Sequence, residues 1–175
     1  MNSLAQIGPI AIGVFLITGF DTSRIEVKTV RNFLVAIFLS ALGTSALASD
    51  KADVIATIRQ YVADFNKGDR SAEVSHCTTP AIVIDDFAPS IWRGCQEWAD
   101  ALEAANKADG DSEDRIILGK AWNVEVSGDT AYAVYPTQID YKHKGKPAVE
   151  HGVWTFVLQK QPEGWRISAW AWAAH

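Results

Sequence analysis

Asp85 and Asp86 follow directly on the apolar run Ala81-Ile82-Val83-Ile84, and Trp92-Arg93-Gly94 comes a few residues later. Alternation along an extended chain places Asp85 on the face of Val83 and Asp86 on the opposite face. If the first face is buried, the Asp85 carboxyl loses hydration, its charged form is disfavoured and its pKa rises. Such a carboxyl is a general acid or base near neutral pH, worth roughly 10²–10⁴-fold in rate. The other reading is structural: both aspartates reach water at a strand end and cap the turn that runs through Phe87, Ala88 and Pro89. Under either reading Asp86 is structural.

The remaining candidates are aromatic or acidic. Trp154 shares a strand face with Glu150, Gly152 and Phe156, opposite His151 and Thr155. Pointing inward, Trp154 walls a cavity, and Glu150 stands at its mouth, either as a second acid or as a solvated rim residue. His151, the residue type most used for acid–base work, then points away. Trp92 covers one end of the cavity; Phe87 and Tyr135 add to its lining. Cys77 and Cys95 have neither metal-ligand spacing nor the neighbours of a nucleophile. They read as a disulfide in an oxidising compartment or as two buried thiols. No zinc-type ligand set and no glycine-rich phosphate loop is present, so neither metal nor organic cofactor is expected. The formal charge of −5 gives no reason to expect nucleic acid or an anionic membrane. Lys142, Lys144 and Lys146 read as a solvated turn.

The elements that must position these residues follow from periodicity. Val54, Ile58, Tyr61, Val62 and Phe65 recur at spacings of three and four, the mark of a helix with one apolar face, which Asp50 caps and Gly68 closes. Tyr61 on that face is ordinarily core, its hydroxyl meeting a backbone acceptor. Asp69 caps a short second helix over residues 70–77. A hairpin pairing 81–85 with 90–94 leads into a third helix from Cys95 to about Lys107, with Trp98, Ala101, Leu102 and Ala105 as its buried stripe. The charged segment 107–114 is a loop. Four runs rich in β-branched and aromatic residues then form an antiparallel meander, with Pro136 at a bulge. In the last run Trp165, Ile167, Ala169 and Ala171 share one face; Ser168, Trp170 and Trp172 share the other. The class is α+β: three N-terminal helices on a strongly curved antiparallel sheet, enclosing a cone.

The order of "YVADFNKGD", "WRG" and "GWRISAWAW" resembles the nuclear transport factor 2-like superfamily, with its SnoaL-like and ketosteroid isomerase-like members, over essentially all of 50–175. Tyr61, Val62, Asn66, Gly68 and Asp69 match the isomerases' helix-one motif. In that register Asp85 falls on their proton-abstracting aspartate and Tyr61 on their oxyanion-stabilising tyrosine. Their second, protonated aspartate is Trp154 here. The resemblance implies a small-molecule pocket, with Asp85 as base and Tyr61 as donor for isomerisation or elimination on an apolar or aromatic compound. The rival is a non-catalytic ligand-binding or dimerisation module on the same fold. With the alanines of the last strand inward, Trp170 and Trp172 lie on the convex face and suggest a homodimer there.

The N-terminus reads separately. Lys28 and Arg31 precede the apolar run Phe33–Leu42 and the small-x-small site Ala46-Leu47-Ala48, the pattern of a signal peptide over 30–48 cleaved before Ser49. Residues 1–29 hold a second apolar run without a basic flank. They read as a start artefact or as an extra hydrophobic segment. The expected domain is therefore 49–175, periplasmic or secreted, with membrane anchorage as the alternative.

Overall fold

The computed structural model describes residues 48–175, so residues 1–29 and the predicted signal, apart from its last residue Ala48, lie outside the described residues. Helix α1 covers residues 48–67, α2 is Arg70–Ser75 and α3 is Cys95–Asp109. The strands are β1 Cys77–Ile84, β2 Ile91–Trp92, β3 Asp111–Leu118, β4 Asn123–Ser127, β5 Thr130–His143, β6 Lys146–Gln161 and β7 Gly164–Ala174. None of the described helices is long and apolar enough to cross a membrane.

The apolar stripe of α1 is buried as its periodicity predicts, with Val54, Ile58 and Tyr61 fully enclosed. Residues 48 and 49 are already helical, so Asp50 lies within the helix instead of capping it; its carboxylate accepts from Lys160 Nζ at 2.6 Å and from Trp165 Nε1 at 3.3 Å. At the other end Gly68 takes φ +72°, and the Asn66 side chain pairs in both directions with the Ile116 backbone at 2.8 Å, which fixes α1 to β3. Asp69 caps α2 by accepting from Ala72 N–H at 3.1 Å.

The strands form one curved sheet in the order β2-β1-β7-β6-β5-β3, with β4 also on β5. The hairpin β1–β2 is antiparallel as expected, but β1 joins the meander by pairing parallel to β7, so the sheet is mixed. The segment 115–126 is interrupted. Leu118 pairs with Thr137 and Asn123 with Val134, which leaves extra residues on one side around Pro136. Pro136 has no N–H to continue a ladder. Gly119 meets it closely: a Cβ there would lie 2.9 Å from Pro136 Cγ. The charged segment 111–114, expected as a loop, begins β3.

β5 and β6 run 14 and 16 residues. Strands this long twist and coil, which makes the sheet concave toward α1 and α3. A second bend comes from a bulge in β7. Leu158 pairs with Ile167 but Val157 pairs with Ala169, so Ser168 is the extra residue. A bulged residue inverts the side-chain alternation beyond it. Trp165 and Ile167 point inward before the bulge, and Trp170 and Trp172 point inward after it, at 2% and 7% exposure. The expectation that Trp170 and Trp172 occupy the convex face is therefore incorrect, and the alanines Ala169 and Ala171 take that side. The apolar dimer patch built on those two indoles is removed with it.

Cys77 and Cys95 are joined by a disulfide that ties the start of β1 to the first residue of α3. Its effect is positional: α3 carries Trp98, and β1 carries Asp85 just past its end.

Candidate functional site

Between α3, the end of β1 and the concave face of the sheet lies a cavity of about 200 Å³. Its aromatic wall is Phe65, Phe87, Trp98, Tyr141, Trp154, Trp170 and Trp172. The rings meet edge to face: Trp98 and Trp154 each cross Trp170, at 4.6 and 5.2 Å between centroids. Edge-to-face contact sets the positive ring edge against the negative ring face and fixes each orientation.

Asp85 is in this wall, 8% exposed. Trp98 Nε1 donates to its Oδ2 at 2.8 Å, and the Asp86 backbone N–H donates to its Oδ1 at 2.8 Å. Burial pushes the Asp85 carboxyl up to about 6, against the Trp98 and Asp86 hydrogen bonds that favour the anion. Loss of hydration outweighs two donors here. Asp86 is exposed on the opposite face, at the cavity rim. Trp98→Phe keeps an aromatic ring and removes the donor. The Asp85 pKa should then rise further, by about one unit given the usual strength of a hydrogen bond to a charged group. A ¹³C-carboxyl titration measures it; an unchanged midpoint would show that this indole does not set the carboxyl's acidity.

Glu150 also lines the cavity and accepts from Trp172 Nε1 at 2.9 Å. Gly152 makes room for that indole: a Cβ there would stand 2.5 Å from Trp172 Cη2 and 2.5 Å from the Ala173 carbonyl oxygen. Gly152→Ala must displace Trp172 and break its bond to Glu150. The expected cost is about 1–3 kcal/mol in urea unfolding, as for other overpacked cores.

The structure brings Asp85, Phe87, Trp154 and Glu150 to one cavity. It places three other expected residues elsewhere. Trp92 is buried behind Phe87, their rings 4.5 Å apart, and supports the wall without forming it. Tyr135 packs on Phe156 at 6.2 Å and borders a separate open cleft with Lys51 and Arg59. Tyr61 is not in the lining. Its ring meets Trp154 and Phe156 edge-on at 5.9 and 6.5 Å, so the tryptophan that replaces the isomerases' second acid also separates Tyr61 from the cavity. Burial raises the Tyr61 hydroxyl well above its ordinary range, reinforced by the Glu73 carboxylate beside it. That hydroxyl has no hydrogen-bond partner among the described residues.

Three features were not anticipated. Trp98 was read as core, although its indole holds Asp85. Asp109, Asp111 and Asp114, expected within a charged loop, line the cavity. Asp114 accepts from Asn106, and burial raises its pKa. Glu73 on α2 is 2% exposed, and burial pushes it to about 7, against the nearby Arg70 guanidinium at 3.5 Å. Nothing in the polar segment Arg70–Ser75 marks it as interior. Among the described residues, no group of three His, Cys, Asp or Glu side chains is arranged to hold a metal ion.

A family model described as SnoaL-like domain matches residues 54–171, and the chain belongs to that family. Solved structures agree on the fold. A nuclear transport factor 2-like superfamily protein from Salmonella enterica is 18% identical, with 73% of this chain and 92% of that one covered at a TM-score of 0.63. An NTF2-like protein from Novosphingobium aromaticivorans is 21% identical, covering 77% and 87% at 0.63. A ketosteroid isomerase-like protein from Erwinia carotovora is 18% identical, covering 73% and 95% at 0.55. No curated protein matches the chain.

Proposed function

We propose that residues 49–175 are an exported small-molecule domain that moves a proton with Asp85, in an isomerisation or elimination that needs no cofactor. The observation that carries this reading is the Asp85 carboxyl, buried in the aromatic wall of the cavity, with its pKa near 6. Near neutrality that group is largely deprotonated, yet basic enough to accept a proton from a carbon or hydroxyl acid. Trp98 and the Asp86 N–H hold it in one orientation, which lowers the entropy lost on reaching the reacting geometry. The Cys77–Cys95 bridge fits an oxidising compartment, which supports export.

Deuterium uptake tests the reading. A panel of small ketones and β-hydroxy ketones is incubated with the protein in D₂O. Protein-dependent exchange at carbon next to the carbonyl, with an apparent pKa near 6, is the expected result. No exchange above the buffer rate on any compound would overturn it.

The second reading is a ligand-binding module without chemistry. It is favoured by the position of Tyr61: with that hydroxyl behind Trp154, the phenol that the resemblance assigns to a developing oxyanion does not line the cavity. On this reading a ligand retained by the wild type is retained equally by Asp85→Asn.

A further inference from the structure

We propose that the cavity beside Asp85 takes an organic cation: a small ammonium compound bearing one oxygen acceptor. This rests on that cavity being the functional site.

Charge is the first ground. Six carboxylates line the cavity, namely Asp85, Asp86, Asp109, Asp111, Asp114 and Glu150, and among the described residues its lining contains no lysine, arginine or histidine. The partners that hold them are mostly neutral. Asp85 has an indole and a backbone amide, Glu150 an indole, and Asp114 the Asn106 amide. Asp111 alone is paired with an ionisable base, His143, at 2.6 Å. Lys142, nearby on β5, is engaged with Glu113 at 2.7 Å. Neutral donors orient a carboxylate without cancelling its charge. A concave, low-dielectric wall of one sign concentrates the field and draws in the opposite ion.

The second ground is the surface between those charges. Trp98 and Trp172 each spend their N–H on a carboxylate of the same wall. What these indoles offer an occupant is ring surface, whose negative face attracts ammonium groups, tryptophan most strongly. Bare metal ions would want converging oxygens, and the described residues supply no such ligand group. Aromatic walls between carboxylates suit a cation that carries hydrocarbon.

The third ground is a polar atom without a partner. Trp154, 3% exposed, is part of the wall, and its indole N–H finds no acceptor among the described residues. A hydroxyl or carbonyl oxygen on the occupant would supply one. At about 200 Å³ the cavity is below the usual range for drug-sized ligands, about 300–1,000 Å³, so the occupant is small.

Two sets of probes, matched in shape and differing in charge, test this. The first is choline, its neutral isostere 3,3-dimethylbutan-1-ol and the anion 3,3-dimethylbutanoate. The second is tyramine, 4-ethylphenol and 3-(4-hydroxyphenyl)propionate. Binding is read by calorimetry and by quenching of the cavity tryptophans. In at least one set the cation should bind ten-fold or more tighter than the neutral compound, and the anion weakest of the three. Raising salt from about 20 to about 500 mM should weaken the cation several-fold and leave the neutral compound unchanged, because salt screens only the charged interaction. Glu150→Gln, which keeps the acceptor for Trp172, should weaken the cation several-fold only. If in both sets the neutral compound binds as tightly as the cation, the proposal is overturned while the cavity stands as a binding site. If no probe binds, the proposal is overturned, and the deuterium-exchange experiment decides separately whether Asp85 acts there.

Discussion

Asp85→Asn should lower the protein-dependent exchange or turnover by roughly 10²–10⁴-fold while leaving the protein folded and no less stable at pH 7.5. The amide is nearly isosteric, and its oxygen still accepts from Trp98 Nε1. It has no basic lone pair near neutrality, so proton abstraction is lost. The stability half of the expectation follows from linkage. The folded pKa, about 6, lies above the ordinary 3.8 of an aspartate. Folding therefore favours the protonated acid. Its contribution is fully present below about pH 4 and is lost as pH rises through 6. At pH 7.5 the wild type holds an anion that its surroundings disfavour, and asparagine removes it. The substituted amide must turn an N–H₂ toward the Asp86 N–H or leave that donor unpaired, which offsets part of the gain. The two measurements are the exchange rate across pH 5–8 and thermal unfolding at pH 5 and 7.5. A rate within a few-fold of wild type would remove Asp85 as the base.

Which parts of the molecule were legible beforehand depends on how local their causes are. The α1 stripe, the Asp69 cap, the hairpin and the last three long strands are written in spacing and turn residues, and each appears where its pattern places it. The inward face of β6 followed from alternation alone, because Glu150, Gly152, Trp154 and Phe156 lie on an unbroken stretch of ladder. Alternation failed in β7 for one reason. Ser168 bulges, and nothing in Ile167-Ser168-Ala169 announces it; both registers satisfy a run that is apolar on each face. The error moved two tryptophans from the interior to the surface and, with them, a supposed dimer patch. The parallel pairing of β1 with β7 was likewise invisible, since it joins strands about ninety residues apart.

The site was half legible. The placement of Asp85 at the cavity follows from its position at the end of an apolar run, and that of Trp154 from its strand face. Tyr61 was placed by family register, and that register is silent about the bulk set between it and the cavity. An indole where the isomerases have an acid fills the space through which a phenol would reach. The acid end of the cavity was missed for a different reason. Asp109, Asp111 and Asp114 are a charge run, and a charge run ordinarily faces water. Here Gly110, with φ +81°, turns the chain so that α3 leads straight into β3, and the run is folded over the cavity's edge.

Glu73 gives the other large effect, and it concerns stability. Replacing it by glutamine should stabilise the protein at pH 8 by on the order of 2–3 kcal/mol, and should change little at pH 4. The carboxyl is 2% exposed, and burial carries it to about 7 from an ordinary 4.5. Arg70 at 3.5 Å favours its anion, while the Asp64 charge opposes it. The sum remains unfavourable to the anion, because one carboxylate oxygen has no partner among the described residues. With the folded pKa above the unfolded one, stability is full below about pH 4.5 and falls as pH rises through 7. Asp85 titrates in the same direction, so the wild type should be more stable at pH 5 than at pH 8. Glu73→Gln should flatten that slope without abolishing it, and Glu73→Gln with Asp85→Asn should remove most of it. Urea unfolding at half-unit pH steps decides the matter. A wild-type curve that rises from pH 5 to 8 would mean that Glu73 is ionised without penalty, held by Arg70 as a buried ion pair, and glutamine would then destabilise by stranding the guanidinium.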